Sequence, residues 1–297
     1  MQLPLEAKVF IGFALFLITF SLALDLSINN FVEIIKKPRK IIFGVFAQTI
    51  LLPIFSFLFI QLADLSFEYA MAIIFIAACP GGSSSNFISY LAGGSVAYSM
   101  SLTFFSSIIA IISTPFHMTF WPTFLNSTQL VSNLEVNRLN LFISLLILLI
   151  IPLALGILAK SYFETRVKFL KNTLKKLSMF FMISIFSYAI YLNLNSLSSN
   201  FKTIFILVLI HQSIALSIGY IMSTLIKLDH KESRSLTIEV GYQNTSLALG
   251  VALAFYSDMS QLILLIGWWT IWHNISALLL ISAWRSKDYI KEKAYTT

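Results

Sequence analysis

The chain has 297 residues, 58% of them hydrophobic and only 11% charged, with a mean hydropathy of +0.84. A soluble domain carries roughly a quarter charged residues, so this composition excludes an ordinary water-soluble fold. Stretches of about twenty apolar residues recur from end to end, which marks an all-α polytopic membrane protein. The net charge of +7 is not read as nucleic-acid binding, because the basic residues lie between the apolar runs, and the lone Cys79 excludes an internal disulfide framework.

In chain order the runs predict nine transmembrane helices, at 8–27, 41–61, 68–91, 95–120, 139–160, 174–194, 201–226, 233–256 and 260–284. Residues 9–24 resemble a signal-peptide core, but Glu6 balances Lys8 ahead of it and no small-x-small cleavage site follows, so a span is preferred. Seventeen of the twenty Lys and Arg residues fall in alternate connections and the C-terminal tail, leaving Lys8, Arg138 and Lys202 on the other face. The positive-inside rule then places the N-terminus outside and the C-terminus in the cytoplasm, in a plasma membrane. A missed or invented span would blur that asymmetry. Asn126-Ser127-Thr128 is an acceptor sequon on the expected outer face.

Two spans are interrupted by polar knots. The third contains Cys79-Pro80-Gly81-Gly82-Ser83-Ser84-Ser85-Asn86, and the eighth contains Glu239-Val240-Gly241-Tyr242-Gln243-Asn244. Such backbone survives at membrane depth only when it is buried in protein or lines a wet cavity. Paired broken helices, one in each half, are the best sequence pointer to a transporter's binding site. A faint internal echo supports this: Phe46-Ala47-Gln48-Thr49-Ile50 resembles Ile210-His211-Gln212-Ser213-Ile214, and each precedes its broken span by one connection. An odd number of spans separates the copies, as inverted repeats require. Five spans form the second half and four the first, so the first half lacks its opening helix.

Glu239 is the one acid well inside a span, and no Lys or Arg lies at its depth to neutralise it. It must be protonated, hydrated or bound to a cation. Its neighbours Gln243, Asn244 and Thr245, with carbonyls freed around Gly241, supply uncharged oxygens. Oxygen ligation with one formal charge suits Na⁺, whereas a divalent ion normally recruits more carboxylates. At the first break Ser83 to Asn86 are expected to cap the second half-helix. Helix ends meeting there favour a cation at the carbonyl end and an anion at the N–H end. Ser99 and Thr103, four apart on one helix face, either close a cation shell with Ser85 and Asn86 or bond back to their own helix.

Other chemistry finds no support. No Gly-x-Ser-x-Gly, Walker A or Gly-x-Gly-x-x-Gly pattern is present, which argues against an enzyme or direct ATP coupling. His117, His211 and His230 read as packed or interfacial, while His273, in Trp272-His273-Asn274, is a candidate cavity residue. Trp121, Trp268, Trp269, Trp272 and Trp284 read as partly marking interfaces, and Cys79 as a small packing residue.

Ala78 to Asn86, Glu239 to Asn244 and Trp272-His273-Asn274 together resemble the bile acid:sodium symporter family, and the likeness covers most of the chain. The resemblance implies two discontinuous crossing helices, with a core domain (41–135 and 201–285) beside a panel (1–40 and 136–200) and a cytoplasmic tail at 286–297. It implies one Na⁺ held by Ser85, Asn86, Ser99, Thr103 and Glu239. A second Na⁺ would be held by Gln48, Glu239, Gln243 and the carbonyls of Val240 and Tyr242. Substrate would sit near Ser83, Asn244, His273 and Asn274. The chain differs from ten-helix members in lacking the first helix. The expected function is Na⁺-coupled import of an organic anion, bile-acid-like, pantoate-like or another carboxylate, by alternating access. A proton-coupled carrier using Glu239 is the alternative.

Overall fold

Within apolar segments every backbone N–H and C=O must find its partner in the chain, which leaves helix as the default. The computed structural model follows that rule. It describes residues 5–25, 38–125, 138–163 and 194–296, with scattered positions between 173 and 187. Helix α1 is Leu5–Asp25; α2, Pro38–Phe46, runs through a wide π turn, Ala47–Leu51, into α3, Leu52–Leu62. The first broken span is α4, Phe67–Ala78, and α5, Ser83–Leu91. Helix α6, Val96–Phe120, ends in a 3₁₀ turn, Trp121–Phe124, and α7 is Arg138–Tyr162. Then come α8, Leu194–Leu225; the second broken span, α9, His230–Gly241, and α10, Thr245–Phe255; and α11, Ser260–Thr296.

Pro38–Leu62, Val96–Phe124, Ser199–Leu225 and Ser260–Ser286 are each long and apolar enough to cross a membrane. The halves Phe67–Ala78 and Thr245–Phe255 are shorter apolar helices, as interruption dictates. The expected span at 174–194 falls mostly outside the described residues, and the sequon at 126–128 lies wholly outside them. Two boundaries differ from expectation. Helix α8 begins at Leu194 rather than at 201, and α11 continues through the expected tail to Thr296. At 1.5 Å per residue, the 37 residues of α11 measure about 55 Å, well beyond a hydrocarbon core of about 30 Å.

The largest buried cluster joins α4, α8, α10 and α11 through Phe75, Val208, Val251, Leu262 and Trp269. Trp269 is fully buried, so the interfacial reading fails for it: its indole packs on His211 and His273. Lipid supplies no hydrophobic drive between helices, so close packing of small residues takes over. A Cβ on Gly156 of α7 would lie 2.4 Å from the Cβ of Ala23, so α1 and α7 meet nearly backbone to backbone.

One end of the bundle is tied by charge. An Asp229–Glu232 capping box starts α9, and Glu232 also pairs with Lys40 at the start of α2. The buried Arg234 donates to both oxygens of Asp288 on α11 at 2.7 Å, and to the Ala92 carbonyl at 2.7 Å just past α5. Its guanidinium also lies 5.2 Å from the Trp284 ring centroid, and Arg285 donates to the Leu91 carbonyl at 2.8 Å. Two arginines therefore satisfy the orphan carbonyls that end α5. The Arg234 guanidinium holds the Asp288 carboxyl below the usual carboxylate range. A depressed pKa gives stabilisation that is complete above the ordinary carboxylate pKa and lost as pH falls through the lowered value. Asp288→Asn should lower the thermal unfolding midpoint in detergent, a loss on the order of 1–3 kcal/mol for hydrogen bonds to a charged partner. Acidification should close the gap between wild type and variant.

Candidate functional site

The first break begins where Pro80 and two glycines remove the means of continuing a helix. Helix α4 stops at Ala78, whose carbonyl accepts a hydrogen bond from Thr114 Oγ1 of α6 at 2.6 Å. Helix α5 starts at Ser83, but its N-cap is Gly82, without a side-chain cap. This corrects the expectation of serine capping: Ser85 Oγ donates to the Gly82 carbonyl at 2.6 Å instead. In the second break Asn244 does cap, its Oδ1 accepting from Leu247 N–H at 3.1 Å. The two breaks meet. Asn244 N–H donates to the Pro80 carbonyl at 2.9 Å, and Gly81 and Gln243 form an antiparallel bridge. Backbone freed in each span is thus satisfied by the other.

Glu239 points into this crossing and is 1% exposed. Ser99 Oγ lies 2.9 Å from its Oε2, and Thr103 Oγ1 donates to Oε1. The same hydroxyls lie 2.8 and 3.3 Å from Asn86 Oδ1. The Ser85 hydroxyl faces the same carboxylate. Thr103 also sits 3.2 Å from the Ser99 carbonyl, so it stands within reach of its own helix and of the cluster at once. Among the described residues no Lys or Arg pairs with Glu239, and no three His, Cys, Asp or Glu side chains gather. Each hydroxyl owns one proton, so Ser99 and Thr103 can offer the carboxylate one donor apiece, and its charge is met by hydroxyl dipoles with no basic side chain among the described residues.

Beside it lies a group of amides and carbonyls. Gln48 Nε2 donates to the Glu239 carbonyl at 2.9 Å and to Gln243 Oε1 at 3.2 Å, and Gln243 Nε2 donates to the Val240 carbonyl at 2.7 Å. Gln48 sits in the π turn Ala47–Leu51, a feature frequent at functional sites and not anticipated from sequence. Pro53, at the second position of α3, was its available signal. Tyr242 is buried, with its ring 4.7 Å from that of His273.

The residues expected to bind substrate are not gathered in the same way. His273 is buried between Tyr242 and Trp269, and neither ring nitrogen has a hydrogen-bond partner among the described residues. Asn274 is exposed and donates to the Thr270 carbonyl of its own helix at 2.9 Å. Asn244 is half-buried at the break, and the Ser83 side chain lies outside the described set.

Two adjacent glycines separate close approach from mere flexibility. A Cβ on Gly81 would stand 2.1 Å from Glu239 Oε1 and 3.2 Å from Gln48 Nε2, whereas one on Gly82 would meet nothing nearer than 3.7 Å. Gly82 also has an ordinary extended backbone. Gly81→Ala should therefore displace the carboxylate and lower the unfolding midpoint in detergent, while Gly82→Ala should match wild type.

The profile of the Sodium Bile acid symporter family matches residues 12–200, which include the first break, Ser99 and Thr103. The uncharacterized sodium-dependent transporter YocS of Bacillus subtilis (strain 168) is 30% identical over 285 residues, covering 96% of this chain and 84% of YocS. The probable sodium/metabolite cotransporter BASS1, chloroplastic, of Arabidopsis thaliana is 28% identical over 268 residues, 89% of this chain and 64% of that protein. The mouse sodium/bile acid cotransporter 4 is 25% identical over 250 residues, 84% of this chain and 56% of that protein. The chain thus spans less than two thirds of the length of these last two. It belongs to the sodium bile acid symporter family, whose matched members are sodium-dependent transporters and not enzymes.

Proposed function

We propose that this protein imports an organic anion in symport with Na⁺ by alternating access, with the crossing of the two broken spans as its cation site. The observation that carries the reading is the buried Glu239 carboxylate, met by hydroxyls and without a basic partner among the described residues. The Asn86 amide oxygen stands beside the same hydroxyls. A small hard cation satisfies such a set, because hydroxyls can turn their lone pairs inward. In this reading Ser85, Asn86, Ser99, Thr103 and Glu239 hold one Na⁺. Gln48, Gln243, Glu239 and the carbonyls of Val240 and Tyr242 hold a second.

The solute is an organic anion held by dipoles near the break, with Ser83, Asn244, His273 and Asn274 as the proposed contacts. The panel (1–40 and 136–200) and core (41–135 and 201–285) move relative to each other, with the N-terminus outside a plasma membrane. A proton on Glu239 would neutralise the same charge, and experiment distinguishes the two cations. Purified protein in detergent should gain thermal stability with Na⁺ and not with equal K⁺ at constant pH. Glu239→Ala should fold, lose that response and lose Na⁺-driven uptake in vesicles. Uptake that follows a pH gradient and ignores Na⁺ would replace this reading with proton coupling.

A further inference from the structure

We infer that His117 is a positioning residue for the second cation group; the inference rests on the cation reading above. It starts from Pro53. A proline has no N–H, so the carbonyl four residues back, that of Thr49, loses its helical donor. His117 Nε2 takes that place at 2.8 Å from the Thr49 oxygen. The direction of this bond is fixed by a second one. Trp121 Nε1 lies 2.8 Å from His117 Nδ1, and an indole N–H can only donate. Nδ1 is therefore the acceptor, the proton sits on Nε2, and the neutral ring donates to Thr49. The indole and imidazole planes lie within 5° of each other with centroids 6.2 Å apart, the coplanar arrangement an in-plane N–H···N bond requires, and His117 is buried.

What this bond holds is the π turn. Leu52 N–H closes the wide turn onto the Ala47 carbonyl, and Gln48 is aimed from within it at the Glu239 carbonyl and Gln243 Oε1. Without His117 the carbonyl of half-buried Thr49 is unpaired at membrane depth, a cost that favours rewinding or tilting of the turn. Either movement swings Gln48 away from the crossing. His117 lies on the same α6 face as Ser99, Thr103 and Thr114, at successive intervals of four, eleven and three residues, each close to whole helical turns. One face of one helix thus supplies hydroxyls to the first group and fixes the backbone beneath the second.

The test uses Na⁺ alone as the probe and reads the Na⁺ concentration giving half-maximal thermal stabilisation of the full-length protein in detergent. His117→Phe should raise that concentration roughly 3- to 10-fold, the range expected for one lost hydrogen bond, and His117→Gln, which keeps a donor, should restore part of it. Added to Gln48→Ala, His117→Phe should cause no further shift, since residues acting through one another are non-additive. An unchanged Na⁺ midpoint in His117→Phe, with Gln48→Ala shifted, overturns the positioning role and leaves the cation site standing. If Gln48→Ala itself shifts nothing, the second cation group fails and this inference with it. Should His117→Phe not fold, Trp121→Phe decides: a smaller increase supports the role, and no change overturns it.

Discussion

A carboxylate buried at a helix crossing, with hydroxyls and amides around it, is the constraint from which the rest of the site follows. Placing Glu239 among oxygens costs desolvation that hydroxyl contacts alone offset incompletely. The surroundings are shaped to admit that carboxylate. Gly81 is a glycine because the space for its Cβ is taken by Glu239 Oε1. The two breaks lie antiparallel because each offers the backbone groups that the other lacks. Ser99 and Thr103 stand four apart because that interval puts both hydroxyls on one side of α6.

Helix α6 organises more than its hydroxyls. Along a single stripe it supplies Ser99 and Thr103 to Glu239, Thr114 to the carbonyl ending α4, and His117 to the carbonyl orphaned by Pro53. Irregular backbone at membrane depth is tolerated only where such partners exist. The broken span and the π turn are therefore not independent defects. Both lean on one continuous helix, which keeps two departures from regular geometry in fixed relation.

Much of this was legible in the sequence. The apolar runs, the two polar knots and the isolation of Glu239 are one-dimensional features, since each depends on a residue's own polarity and spacing. Asn86, Ser99, Thr103, Gln48 and Gln243 were anticipated through the resemblance; Ser99 and Thr103 reach the Glu239 carboxylate and Gln48 its carbonyl, while Asn86 and Gln243 touch those three residues. What stayed hidden depends on contacts between distant segments. Serine after Gly-Gly reads as an N-cap, yet Ser85 turns back to the Gly82 carbonyl while Gly82 holds the cap position. Trp269 reads as interfacial by type, but its place in α11 buries it against two histidines. The π turn had a local cue in Pro53, but its other half, His117, comes from a different helix 68 residues away.

The last step concerns how one residue serves both groups. The Glu239 side chain faces Ser99 and Thr103, while its carbonyl accepts from Gln48 on the other side. Sequence placement makes this asymmetric. The N-caps Gly82 and Asn244 mark equivalent points of the two breaks, and five residues before them stand Ala77 in one and Glu239 in the other, so only the second break brings a carboxylate. On the proposed reading a cation drawn to the carboxylate pulls on the turn whose carbonyl faces Gln48. Occupying the first group then changes the geometry offered to the second, and the reverse holds with equal coupling free energy. On that reading a single acid shared between side chain and backbone is a physical route to cooperative Na⁺ binding, and Gly81 keeps the route open because any Cβ there would crowd the carboxylate.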